Sequence, residues 1–180
     1  MKKLFTLAVM MIASLTFVDA QKFAGVDPSP MDAAIWRTAR NAPAKAKIIY
    51  SRPMKKDREI WGSLVPYDKM WRTGANEAPE ITFYEDVNFG GKQVKAGTYS
   101  LFVIPGKSEW TFVLNSDLNQ WGNYQYNESS DVVRVKGPAG NNETPVEAFS
   151  ATWENQDDGS VHLILGWDDQ HGRVPIRTNS

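Results

Sequence analysis

The chain has no cysteine, and its 180 residues include only two histidines, His162 and His171. A chain without cysteine forms no disulfide, no thiolate metal site and no thiol nucleophile, and it carries no lipid on a cysteine. With two histidines, a nucleophilic triad has few candidates for its general base. The fold must therefore rest on an ordinary hydrophobic core, and the sequence offers little for nucleophilic catalysis.

The chain also has no excess of charge of either sign, since 20 basic and 21 acidic side chains give a net charge of -1. Such a balance creates no overall field toward nucleic acid or an anionic membrane, so neither is expected as a partner. Aromatic residues, in contrast, make up 12% of the chain and include seven tryptophans. These rings either fill a core or line a site that stacks on flat ligands and sugars.

The apolar run at residues 4–18 follows two lysines and is shorter than the roughly 20 residues of a membrane-spanning helix. It ends in a small-residue pattern at Ala20, and this arrangement predicts a secretory signal peptide, residues 1–20, cleaved after Ala20. We therefore expect a periplasmic or secreted protein with no membrane span after cleavage. Residues 21–180 have the length of one domain.

Alternating apolar and polar residues, broken by Gly, Pro, Asn and Asp, predict an all-β fold from residue 45 onward. The tight turns favour antiparallel hairpins, and two apolar faces must pack together. We expect a single-domain antiparallel β-sandwich of the jelly-roll type. The predicted strands are residues 45–51, 80–86, 98–104, 109–115, 131–136, 146–154, 160–167 and 173–177.

One short N-terminal helix is predicted at residues 29–40, where Ser29 can act as the N-cap and Pro30 fits the first turn. The polar stretch 136–145 and the stretch 168–172 are predicted to be a loop and a turn. One long irregular loop, residues 50–81, is rich in Arg, Trp and Tyr. Function is expected there, because binding residues tend to lie on loops held by a rigid scaffold.

The arginines of this loop support two interpretations, with Glu77 at the centre of both. In the first, the arginines clamp a carboxylate or phosphate while the neighbouring amide and carboxylate orient hydroxyl groups of a ligand. In the second, Glu77 pairs with Arg52 or Arg72 and fastens the loop to the sheet. The candidate ligand-binding residues are Arg52, Arg58, Trp71, Arg72, Asn76, Glu77 and Trp121.

The stretch 115–126 is a second group of aromatic and amide side chains, including Trp121. Its composition suits a site that stacks sugars or peptides and hydrogen-bonds their polar edges. Alternatively, Trp121 closes one end of the core while the amides satisfy loop backbone groups. Both interpretations predict that Trp121 is buried.

Catalysis has weaker support in the residues. Glu77 or Glu109 can serve as the general acid of a polysaccharide hydrolase, which needs two carboxyl groups across a cleft. His162 is predicted to point away from the core, and His171 lies beside two aspartates that lack the spacing of a calcium or zinc motif. We therefore expect no metal and no cofactor.

Four motifs carry a resemblance to a known family: YSRP at residues 50–53, GSLVPYDKMWRTGANE at 62–77, AGTYSLFVIP at 96–105 and EWTFVLNSDLNQWGNYQY at 109–126. With them, the chain resembles domain of unknown function 2911 over residues 29–176. Asp68 stands where such sequences tend to have glycine. The resemblance implies an exported bacterial protein of the Bacteroidota type, located in the envelope, with a β-sandwich fold. It implies no substrate, cofactor or catalytic residue.

Together these observations predict an exported domain that binds a small anionic or glycan-like ligand, or an envelope protein, without performing chemistry. An envelope polysaccharide hydrolase and a structural envelope protein without ligand are the two alternatives.

Overall fold

The computed structural model describes residues 21–178, and the predicted signal peptide lies outside them. The described chain forms nine strands in one antiparallel sheet, in the order β1-β2-β3-β6-β7-β8-β9-β4-β5. The strands are β1 Met31–Arg37, β2 Ala44–Ser51, β3 Glu80–Phe83, β4 Val87–Phe89, β5 Lys92–Val94, β6 Gly97–Pro105, β7 Glu109–Asn115, β8 Asp131–Asn155 and β9 Val161–Thr178. This arrangement confirms the all-β, antiparallel class. Within residues 21–178, no helix has the length and apolar character needed to cross a membrane.

The predicted N-terminal helix is wrong, because residues 31–37 of that stretch form strand β1. β1 pairs with β2 from Met31 opposite Ser51 to Arg37 opposite Ala44. Trp36 is the buried side chain of β1, and its ring stacks on Trp153 at a centroid distance of 6.2 Å. Capping residues and alanines favour a helix locally, but the free edge of β2 and the Trp36 contact supply more stabilisation to a strand.

The predicted loop 136–145 and the predicted turn 168–172 are also wrong, because both belong to long strands. Residues 131–138 of β8 pair with β7, and residues 139–155 of the same strand pair with β9. The register shifts between Asn141 and Val146, where β8 is irregular. The polar residues and glycines of this segment are typical of a loop in sequence. They lie where β8 changes its partner from β7 to β9 and its register shifts, and a β-bulge lets a strand bend at such a point.

The core collects the alternate residues of the strands, as the period-two pattern predicts. On β9, residues Val161, Leu163 and Leu165 have no exposed surface, and Trp167 is 2% exposed. Phe149 of β8 contacts Tyr50 at the end of β2, with ring centroids 5.7 Å apart. Residues 139–155 of β8 therefore pack against the end of β2 through Phe149. The long loop begins where β2 ends, so it starts beside this contact.

Candidate functional site

The long irregular loop, residues 52–79, joins β2 to β3 and is fastened to β6. The Trp71 N–H donates to the Val103 carbonyl at 2.8 Å, and the Val103 N–H donates back at 3.2 Å. The Asp68 N–H donates to the Pro105 carbonyl at 2.8 Å. Since β3 pairs with β6 only as far as Ser100, the loop occupies the edge of β6 that β3 leaves open. Its backbone is therefore fixed without being a regular strand.

The turn at residues 73–76 has an unusual backbone. Thr73 and Asn76 have positive φ values of 60° and 57°, and Gly74 has a φ of 135°. A β-branched residue at positive φ is rare and costs about 1–3 kcal/mol, a cost most often found at functional sites. Thr73 is nevertheless fully buried, with its hydroxyl donating to the Trp71 carbonyl at 3.3 Å. The packing therefore holds this turn in one strained shape.

Beneath the turn lies a floor of tryptophans. The rings of Trp71 and Trp167 stack with centroids 6.2 Å apart and planes 11° apart. Trp61 meets Trp71 edge-on at 5.8 Å, and its indole N–H donates to the Trp167 carbonyl at 2.9 Å. Trp71 is 8% exposed. The floor is thus rigid, since each ring is held by another ring or by a backbone hydrogen bond.

Above this floor is a cleft of about 380 Å³, which we call the basic cleft. Its charged lining residues are Lys56, Arg58 and Arg72, and none of the described residues that line it is acidic. Its remaining walls are mostly apolar, and they include Met54, Leu64, Val65, Trp71 and Trp167. The cleft therefore combines positive charge with an apolar and aromatic surface.

Arg58 and Arg72 form no salt bridge with an acidic side chain in the described part of the chain. Arg58 donates to the carbonyls of Lys55, at 3.0 Å, and of Met54, and its guanidinium lies 5.8 Å from the Trp167 ring centre. Arg72 lies over the Tyr124 ring at 6.0 Å. Within residues 21–178, Arg72 makes no salt bridge and no hydrogen bond. A half-buried guanidinium with five unused donors is a ready partner for an anion.

Arg52 differs from these two arginines, because all of its nitrogens are engaged by the protein. Its guanidinium forms a salt bridge of 2.8 Å with Asp32, donates to the Phe149 carbonyl at 3.1 Å and donates to the Ser150 hydroxyl at 2.8 Å. It does not line the basic cleft. Arg52 therefore links β1 to β8, with three of its five N–H donors already used by the protein.

We expect the Arg52→Ala substitution to lower the free energy of unfolding by about 2 kcal/mol. The Asp32 pair is partly exposed and contributes little, whereas the two part-buried hydrogen bonds to β8 contribute about 1 kcal/mol each. Urea unfolding measures the change, with Arg40→Ala at an exposed position as the control. Equal stability of the two variants would contradict a bracing role for Arg52.

Glu77 lies on the other side of the turn, in a second cleft of about 350 Å³ that we call the acidic cleft. Glu77 and Glu80 are its charged lining residues, and Trp121 is its exposed aromatic one. Among the described residues, no salt bridge joins Glu77 to Arg52 or Arg72. The second interpretation, in which Glu77 pairs with Arg52 or Arg72, is therefore wrong: Arg52 pairs with Asp32, and Arg72 lines the basic cleft.

Trp121 is 61% exposed, so its predicted burial is wrong. The loop that carries it is held by polar contacts rather than by its ring. The Ala78 N–H donates to the Gln120 carbonyl at 2.9 Å, and the Asn123 side chain donates to the Met70 carbonyl at 2.9 Å. These bonds fasten the loop to the 70–78 segment and leave the indole free.

The other candidates lie apart from both clefts. Asn76 donates to the Asp27 carboxylate at 3.2 Å and lines neither cleft. Glu109 forms a surface salt bridge of 2.7 Å with Lys136, which raises the pKa of Lys136. His171 lines a third cleft of about 350 Å³, where burial and then Arg173 lower its pKa. In the described part of the chain, no three His, Asp or Glu side chains group as metal ligands.

The structure thus divides the seven predicted residues. Arg58, Trp71 and Arg72 meet in the basic cleft, and Glu77 and Trp121 meet in the acidic cleft. Lys56 lines the basic cleft and Glu80 lines the acidic cleft, and neither is among the seven candidates. Both stand within the loop at residues 50–81 that the sequence singled out, so the region contained the signal.

A family model described as a protein of unknown function, DUF2911, matches residues 29–176. The chain belongs to the DUF2911 family. The matched region of this DUF2911 domain contains all seven candidate residues and every residue that lines the two clefts except Pro28. Comparisons with curated proteins and with solved structures gave no match. Family membership therefore fixes the type of domain, and any activity must be argued from the clefts.

Proposed function

We propose that this DUF2911 domain binds a small ligand that carries an anionic group, and that it does so in the basic cleft without performing chemistry. The observation that carries the proposal is Arg72, which lines the cleft and whose guanidinium has no hydrogen-bonding partner among residues 21–178. An unpaired charge that is half-buried is costly for the protein alone. A bound carboxylate, phosphate or sulfate offsets that cost through paired, charge-assisted hydrogen bonds.

The rest of the cleft fits a ligand with an anionic end and an apolar or sugar-like body. Its volume of about 380 Å³ falls in the range of about 300–1,000 Å³ that is usual for small-molecule sites. Lys56 and Arg58 add positive charge near Arg72, while Met54 and Leu64 offer apolar surface. The strained turn at residues 73–76 supports the proposal as well, because such strain tends to occur at ligand-binding loops.

Binding is favoured over catalysis by what lines the cleft. A hydrolase needs a general acid or base within reach of the bound ligand, and the described residues around the basic cleft include no Asp, Glu or His. The alternative with Glu77 or Glu109 as the acid has no comparable support. Glu77 lines the other cleft, and Glu109 is paired with Lys136 at the surface. A purely structural protein would have no need for an unpaired arginine in a cleft.

We also propose the finer features that the sequence predicts. The signal-peptide pattern of residues 1–20 supports export to the periplasm or beyond, and the DUF2911 motifs support a source of the Bacteroidota type. The two packed layers of a jelly-roll-like sandwich are supported by contacts of β1 and β2 with the second part of β8. These contacts are the Trp36–Trp153 and Tyr50–Phe149 ring pairs.

The test is a thermal-shift panel of phosphates, sulfate, uronic acids, sugars and muropeptides. A ligand present at about 100 times its dissociation constant adds roughly 2.7 kcal/mol, which raises the midpoint by about 5–10 °C in a domain of this size. We expect such a shift from an anionic member of the panel. Arg72→Ala should weaken that binding by about 10–100-fold, the value of a hydrogen-bonded charge pair.

The Arg72→Ala variant should stay folded, because it loses only the Tyr124 contact, worth about 0.5–1 kcal/mol. Arg72→Lys keeps the charge without the planar fork and should bind with intermediate affinity. Arg37→Ala, at an exposed strand position, is the control and should bind as the wild type does. Equal anion-induced shifts in the wild type and in Arg72→Ala, or no shift with any anion, would refute the proposal.

A further inference from the structure

The acidic cleft differs from the basic cleft in its charge. Its charged lining residues are Glu77 and Glu80, and no lysine or arginine among the described residues lines it. Glu80 accepts a hydrogen bond from the Asn119 N–H at 2.9 Å, whereas Glu77 makes no hydrogen bond or salt bridge within residues 21–178. Two carboxylates without a neutralising cation repel an anion and attract a positive charge. The ligand of the basic cleft is therefore unsuited to this one.

Trp121 lines the same cleft as an exposed aromatic side chain. It is 61% exposed, whereas Trp36, Trp61, Trp71, Trp110 and Trp167 are all 8% exposed or less. Indole is the best natural partner for a cation above an aromatic face. Large exposed aromatic side chains beside a cleft are typical of binding sites rather than of cores.

The loop holds Trp121 in place relative to the two carboxylates. Asn119, two residues before it, donates its backbone N–H to Glu80 at 2.9 Å. Gln120, directly before it, accepts the Ala78 N–H at 2.9 Å, and Ala78 follows Glu77. Trp121 and both carboxylates are thus joined by short backbone links. Such pre-organisation lowers the entropy lost on binding.

The remaining walls favour an organic cation over a metal ion. Met31, Ile49 and Ala78 provide apolar surface, and the Tyr50 ring lies against Phe149 behind them. Metal ions of the calcium or magnesium type need six or more oxygen ligands, and the described chain contains no grouping of three metal-binding side chains. Methyl or methylene groups around a positive nitrogen, in contrast, match apolar walls and an indole face.

We propose that the acidic cleft is a second binding site, which takes a small organic ammonium ion against Trp121 with Glu77 and Glu80 supplying the negative charge. The site is independent of the basic cleft and does not rest on the function proposed for it. The ligand class is an alkylated or quaternary ammonium compound with a compact apolar body.

The experiment titrates the full-length folded protein with choline and, in parallel, with 3,3-dimethyl-1-butanol, which has the same shape without the charge. Binding is followed by calorimetry and by the indole N–H signals in ¹⁵N NMR spectra at constant ionic strength. We expect choline to shift one exposed indole signal and to bind at least tenfold more tightly than the neutral alcohol. Trp121→Ala and Glu77→Gln should each weaken choline binding by roughly tenfold, the effect of losing a cation–π contact or a facing charge.

Controls separate this site from the basic cleft. Arg72→Ala should bind choline as the wild type does, and Glu77→Gln should keep the anion-induced thermal shift. Equal affinity for choline and the neutral alcohol would overturn the proposal in favour of a merely apolar cleft. Preferential binding of a neutral sugar, or no choline binding at millimolar concentrations, would overturn it as well. Comparing choline with 3,3-dimethyl-1-butanol on the wild-type protein tests the proposal even if a variant does not fold.

Discussion

Replacing Phe149 with alanine is expected to lower the free energy of unfolding by about 3–5 kcal/mol, the cost of truncating a large ring in a packed core. Phe149 is fully buried in β8. Its ring meets Tyr50 at 5.7 Å, Trp71 at 5.2 Å and Trp167 at 6.3 Å. It therefore joins β2, the long loop and β9 in one cluster, and its loss leaves a cavity that these rigid rings cannot fill.

Urea unfolding and thermal melts measure this effect, and we expect the midpoint to fall by about 10–15 °C. Phe23→Ala is the matched control, because Phe23 is 87% exposed and its truncation should change stability by less than about 0.5 kcal/mol. If Phe149→Ala lowers the free energy of unfolding as little as Phe23→Ala does, the packing of β2, the long loop and β9 does not depend on the Phe149 ring. Since Trp71 and Trp167 also form the floor of the basic cleft, ligand binding should weaken together with stability.

Strands with an apolar core bounded by clear turn residues could be predicted well from the sequence. Strand β7 has the bounds predicted for it, Glu109–Asn115, and β6 differs by one residue at each end. Both lie in the middle of the sheet order, and each has three consecutive residues without exposed surface, 101–103 and 112–114. A short apolar run bounded by turn residues is sufficient to predict a strand at such positions.

Elements whose conformation depends on distant partners could not be predicted in the same way. Strand β1 exists because β2 offers it an edge and because Trp153, far along the chain, receives Trp36. The β4–β5 hairpin, Val87–Phe89 with Lys92–Val94, is too short to show a period. Neither signal is present in a window of local sequence.

The candidate site could be predicted as a region, but its internal division could not. The loop at residues 50–81 does line both clefts. Whether an arginine of that loop is free depends on groups about 100 positions away in sequence, such as the Phe149 carbonyl that accepts from Arg52. Composition places three arginines together, and long-range hydrogen bonds decide which of them can meet a ligand.

Replacing Gly172 with alanine is expected to cost about 3 kcal/mol, although the change adds a single methyl group. Gly172 lies on β9 opposite Ala139, and a Cβ atom there would come within 2.2 Å of Cε3 and 2.3 Å of Cδ2 of Trp110. Trp110 has no exposed surface, and Trp61 packs against it with ring centroids 5.0 Å apart. The ring therefore has no space to move into, and overpacking must displace strand β9.

The same strand offers a matched control for this prediction. A Cβ atom at Gly166 would come no closer than 3.6 Å to a neighbouring atom, which is an ordinary contact, so Gly166→Ala should change stability by less than about 0.5 kcal/mol. A smaller side chain at position 110 should relieve the clash, so the double variant Gly172→Ala with Trp110→Leu should cost less than the sum of its single changes. Urea unfolding of the wild type, the two single variants and the double variant measures this coupling energy between positions 172 and 110. If the destabilisations of the two single variants add up to that of the double variant, the methyl group at position 172 does not contact the Trp110 ring. Contact with Trp110 would then not be the reason for glycine at this position.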